Sequence, residues 1–64
     1  MILYKAEVQK KHPNAFCKIE PIQDKFGATL YLYSVYLEKG EEAFMRAFTC
    51  HQSWMFAYEN TLEN

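Results

Sequence analysis

The residue types able to do covalent or metal chemistry are few in this chain, and their spacing limits what they do. Cys50 and His51 are adjacent, the two types from which a thiolate nucleophile and its base are made. Adjacent residues on a helix point about 100° apart, so this pair does not face itself. A catalytic cysteine takes its histidine from elsewhere in space. His12 fills that role only if its turn reaches the start of the last helix. The plainer reading of Cys50 is a small packing residue near a helix N-terminus, a setting that makes thiols reactive without making them catalytic.

His12, Cys17, Cys50 and His51 are enough side chains for a zinc site by number. Their spacing lacks the close Cys or His pairs that set half of such a site, so no metal and no cofactor are expected. Gly27 and Gly40 belong to turns, not to a phosphate-cradling loop. Glu38, Glu41 and Glu42 flank a turn and read as a solvated acidic tip, not as carboxylates paired in a cleft. No enzyme signature survives, and a non-enzymatic protein is expected.

The elements that position these residues are then read from periodicity. In residues 2–10, Ile2, Tyr4, Ala6 and Val8 alternate with polar side chains, which predicts a half-buried strand. Lys11-His12-Pro13-Asn14 reads as a turn. Residues 15–20 predict a second strand, with Pro21 placing it at a sheet edge or ending it. Gln23 to Gly27 reads as a loop. Residues 28–38, rich in Tyr, Leu and Val, predict a central strand with two apolar faces.

The segment after Gly40 has two readings. One is a helix opening at Glu41 and Glu42. The preferred one is a hairpin turning at Lys39-Gly40, which pairs Tyr36 with Ala43, Ser34 with Met45 and Leu32 with Ala47 on one face. On the other face it pairs Val35 with Phe44, Tyr33 with Arg46 and Tyr31 with Phe48. Thr49-Cys50-His51-Gln52 fits a capping box and starts a helix over about 50–62. That helix carries Cys50, His51, Trp54, Ala57, Tyr58, Thr61 and Leu62 on one broad face, with Phe56 among the polar residues opposite.

The expected fold is α+β: one domain, residues 1–64, with a four-stranded antiparallel meander and one C-terminal helix (ββββα). The alternative is three strands plus one long helix. The helix-covered face would hold Ile2, Tyr4, Val8, Leu30, Leu32, Met45 and Ala47.

Size and composition narrow the function classes. A chain of 64 residues buries only about 60% of its unfolded surface, so its core is small. Half of its residues are hydrophobic, too many for a disordered chain. The formal net charge of −1 gives no field to draw the whole protein onto nucleic acid or an anionic membrane. Two cysteines are too few for a disulfide framework, and the N-terminal apolar run is too short for a signal peptide or a span. A cytoplasmic protein without membrane attachment is expected.

One helix covers one sheet face. The uncovered face is then expected to carry Tyr31, Tyr33, Val35, Leu37, Phe44 and Phe48, with Arg46 among them and Phe16 beside them. Aromatics of ~150–250 Å² each make a patch larger than a monomer normally exposes. Tyr and Arg are also the types that dominate interface hot spots. The function expected first is protein interaction: an accessory, adaptor or inhibitor, of phage or mobile-element type, binding a partner protein or a second copy through Tyr31, Tyr33, Val35, Phe44, Arg46 and Phe48. The alternative is single-stranded nucleic-acid binding, with sheet aromatics stacking on bases and Lys10, Lys11, Lys18 and Arg46 meeting phosphates. The acidic net charge and single Arg weigh against it.

Overall fold

Tyr4–Lys11 is a helix, α1, not the predicted strand. The alternation that suggested a strand contains Tyr4 and Val8, which are four apart and so also share a helix face. The intervening Lys, Ala, Glu and Gln side chains are good helix formers. Lys10 Nζ lies 2.7 Å from Glu7 Oε2, an i,i+3 pair that a helix brings together and an extended strand does not. The helix ends where His12 N–H donates to Val8 O at 2.8 Å and Pro13 follows. Lys10 and Lys11 therefore sit in its last turn, and the reversal itself is confined to His12–Asn14.

The computed structural model describes residues 2–62. After α1 come β1 (Phe16–Gln23), β2 (Thr29–Tyr36), β3 (Met45–Ala47) and α2 (Cys50–Thr61). The class is α+β and the C-terminal helix stands where it was expected. Among the described residues the sheet has three strands, not four, in the antiparallel order β1-β2-β3. That matches the strand number of the alternative fold. Neither its first strand nor its long helix is present: the chain is extended at Met45–Ala47 and becomes helical only at Cys50.

β1 runs straight through Pro21, which lies opposite Tyr31. The hairpin closes with Asp24 N–H donating to Ala28 O at 2.9 Å. Alternation along the ladder then turns the main-chain groups of Cys17, Ile19, Pro21 and Gln23 away from β2. Pro21 sits at the outer edge, where its missing N–H breaks no ladder bond. The turn is held by Asp24 Oδ1, which accepts from Phe26 N–H at 2.8 Å and Ala28 N–H at 2.9 Å. Gly27 supplies the left-handed conformation there, at φ 85°.

The β2–β3 connection overturns a second expectation. Tyr33 pairs with Ala47, Ser34 with Arg46 and Val35 with Met45. Relative to the predicted two-residue loop this is a shift of one residue, because the connection occupies the longer stretch 37–44. A one-residue shift moves every side chain of the incoming strand to the other face. Arg46 therefore shares a face with Ser34, while Met45 and Ala47 join Val35 and Tyr33.

α2 packs on the face holding Val35, Met45 and Ala47, and α1 packs beside α2. The core is Val8, Ala15, Val35, Trp54 and Ala57, with Tyr4, Cys17, Leu37, Phe44, Met45 and Tyr58 around it. Of the predicted helix-covered residues, Val8 and Ala47 are buried, whereas Ile2 and Leu30 are exposed. The expected cap is present, with Gln52 N–H donating to Thr49 Oγ1 at 3.1 Å. α2 contributes one buried residue that its apolar pattern hid: Ser53, whose hydroxyl donates to Tyr33 O at 3.0 Å. The two helices are fastened by the Tyr4 ring, 5.4 Å from His51 and 5.3 Å from Tyr58, and by Lys11 Nζ at 3.4 Å from Thr61 O.

Candidate functional site

The six residues expected to form one docking face are distributed over several environments. Val35 is 0% exposed and lies under α2, with Phe44 packed against the same core. Tyr33 is half-buried and lines a groove with Trp54. Arg46 projects from the opposite face, next to Ser34. Only Tyr31 and Phe48 are both aromatic and well exposed. The cause is the register shift: α2 covers the odd-numbered face of β2 that was expected to stay open.

The face that α2 leaves open carries Phe16, Lys18, Glu20, Ile22, Leu30, Leu32, Ser34, Tyr36 and Arg46. Near β3 it is occupied by its own side chains. Phe16 and Tyr36 stack with centroids 5.0 Å apart and planes 11° from parallel. Tyr36 donates its hydroxyl to Glu20 Oε2 at 2.7 Å, crossing the row of Lys18, Ser34 and Arg46. That bond, with the Ser34 hydroxyl close by, holds the Glu20 carboxyl below the ordinary carboxylate range. The same bond pushes the Tyr36 phenol above its ordinary range. Ser34 Oγ is buried beneath this arrangement and completes no hydrogen bond of standard geometry.

The sheet changes character toward its other end. Every residue from Pro21 to Tyr31 is exposed. Ile22 and Leu30 face each other across β1 and β2 on one side, with Pro21 and Tyr31 paired on the other. Ile19 precedes them, and Phe26 stands at the turn, 83% exposed, with Lys25 Nζ 5.2 Å from its ring centroid. β3 reaches only as far as the Tyr33–Ala47 pair, so the β2 edge at Thr29 and Tyr31 carries no neighbouring strand. The hairpin end is thus apolar on both faces and open along both edges. Tyr31 was expected to be exposed; Leu30, expected under the helix, is exposed beside it, as are Ile19, Ile22 and Phe26, for which no role was expected. The available signal was the position of the C-terminal helix, too short to cover an eight-residue hairpin from end to end.

The basic residues named for nucleic acid are scattered. Lys10 is paired with Glu7, Lys11 reaches the α2 C-terminus, and Lys18 and Arg46 flank the Glu20 carboxylate on the open face. His12 is half-buried at the end of α1, and His51 is against Tyr4. Among the described residues no three His, Cys, Asp or Glu side chains come together in a metal-binding group. No helix among them is long and apolar enough to cross a membrane. Comparison with protein families, with curated proteins and with solved structures finds no match to this chain.

Proposed function

We propose that this chain is a non-enzymatic interaction module that docks another protein chain onto the distal end of its β1–β2 hairpin. The observation that carries this reading is the uninterrupted exposure from Pro21 to Tyr31 in a segment rich in large apolar residues. Such surface contributes little to folding and is costly to leave in water, so it is better explained by a partner that covers it. The open β2 edge at Thr29 and Tyr31 adds main-chain groups to which a partner strand pairs, while Ile22, Leu30 and Phe26 supply the side-chain contacts. The partner is a second copy or a different protein, and the docking acts by bridging or occlusion.

A photo-crosslinking amino acid placed at Phe26, and separately at Phe56 on the back of α2, tests this directly. The proposal expects a discrete crosslinked species from position 26, in the purified chain or in cells, and none from position 56. Equal labelling from both positions, or labelling from 56 alone, contradicts it. Nucleic-acid binding is the weaker reading, because the charges of Lys18 and Arg46 act on the carboxylate of Glu20, which opposes a phosphate there. A salt-dependent mobility shift with single-stranded oligonucleotides, lost in Lys18→Gln and Arg46→Gln, would reverse that order.

A further inference from the structure

Cys17 and Cys50 are far apart in the chain and come from different layers of the fold. Cys17 lies on β1, opposite Val35, on the face turned toward α2. Cys50 is the first residue of α2, immediately after the Thr49 cap. Both line one groove, between Phe16 and Ile19 of β1 and Trp54 of α2. The two thiols are near enough that the Cys50 sulfur raises the Cys17 thiol above its ordinary range, after burial, which acts most. Neither cysteine is in a disulfide; Cys17 is half-buried and Cys50 exposed. The groove therefore places an accessible sulfur and a sheltered one on the two sides of the seam between sheet and helix.

We propose that Cys17 and Cys50 form a reversible dithiol–disulfide site whose oxidant is a low-molecular-weight disulfide of the glutathione type. The exposed Cys50 thiolate attacks one sulfur of the oxidant. A mixed disulfide forms on Cys50, and the first small thiolate leaves with the electron pair of the broken S–S bond. Cys17 then gives up its proton to solvent and attacks Cys50 Sγ. The Cys17–Cys50 bond forms and the second small thiolate departs. In sum, two protein thiols are oxidised to one disulfide, and one small disulfide is reduced to two thiols.

The order of events follows from accessibility. Cys50 is exposed and meets the reagent first, whereas Cys17 is half-buried under α2, and that burial pushes its thiol up. The product bond ties β1 to the start of α2 and closes a loop that contains β2 and β3. Closing such a loop restricts the unfolded chain and raises the melting temperature. In a reducing compartment the dithiol is the resting form, and the bond reports oxidation.

The test uses the purified chain, equilibrated at increasing ratios of oxidised to reduced glutathione, acid-quenched and alkylated. The proposal expects one transition from a doubly alkylated monomer to an unalkylated monomer lighter by two hydrogens. It also expects a peptide crosslink between positions 17 and 50 and a Tm higher by about 10 °C or more. Cys17→Ser should instead accumulate one glutathione adduct on Cys50. Cys50→Ser, which alters only an exposed side chain, should keep the parent fold and leave Cys17 reduced. Stable glutathione adducts on both cysteines of the parent chain, a covalent dimer through Cys50, or two thiols that never oxidise would each overturn the site.

Discussion

The two ends of this molecule are built on opposite terms. At one end α1 and α2 close over Val8, Val35 and Trp54, and even the polar residues there are used: Ser53 bonds the Tyr33 carbonyl and Lys11 the Thr61 carbonyl. At the other end the same two strands continue past the helices, and Ile22, Leu30 and Tyr31 stand in solvent. The side chains at the two ends are chemically alike, but only one group is buried. The stability of the fold is therefore concentrated where the helices lie, and the hairpin end adds little to it.

That contrast is most easily broken at the covered end. Trp54→Ala removes the largest buried side chain and should cost about 3–5 kcal/mol, close to the whole stability of a domain this small. Loss of the cooperative thermal transition, followed by circular dichroism, is the expected outcome. Two serines sharpen the comparison at the next level. Ser53→Ala deletes a buried bond to Tyr33 O and should cost about 1–2 kcal/mol in denaturant melts. Ser34→Ala deletes a buried hydroxyl with no completed bond and should be neutral or slightly stabilising. Thr49→Ala, which removes the α2 cap, should cost about 1 kcal/mol in the same measurement.

Smaller still is the pH dependence carried by the part-buried Tyr36–Glu20 bond. The Glu20 carboxyl is lowered in the folded chain, so its contribution is complete above the ordinary carboxylate range and is lost as pH falls through the lowered value. The Tyr36 phenol is raised, so its contribution holds below the ordinary phenol range and is lost as pH rises through the raised value. In a series of melting temperatures against pH, Glu20→Gln should flatten the acid limb and Tyr36→Phe should flatten both. Unchanged limbs in Tyr36→Phe would show that the bond does not form in solution.

Parts of this structure are legible in the sequence and parts are not. β2 and the capped start of α2 were readable because their signals are local: a run of β-branched and aromatic residues, and a threonine three residues before a glutamine. α1 was not, because spacing of two and spacing of four coincide at Tyr4 and Val8. The covered face was misassigned for a different reason. Register across the 37–44 connection depends on loop length, and one residue of slip exchanges Arg46 with Met45 and Ala47 between faces. Val35 went to the core with that exchange, Phe44 reaches the same core from the connection before β3, and Ile22, Phe26 and Leu30 join Tyr31 in the exposed set.

The division between a folding end and the proposed docking end is tested most directly by placing the same polar side chain at both. Threonine keeps strand propensity, so Ile22→Thr, Leu30→Thr and Tyr31→Thr combined should lower the unfolding free energy by no more than about 1 kcal/mol. Val35→Thr alone, which buries a hydroxyl in the core, should lower it by about 1–3 kcal/mol. A triple variant less stable than Val35→Thr in the same denaturant titration would show that the hairpin end holds the fold together, and the account would fail.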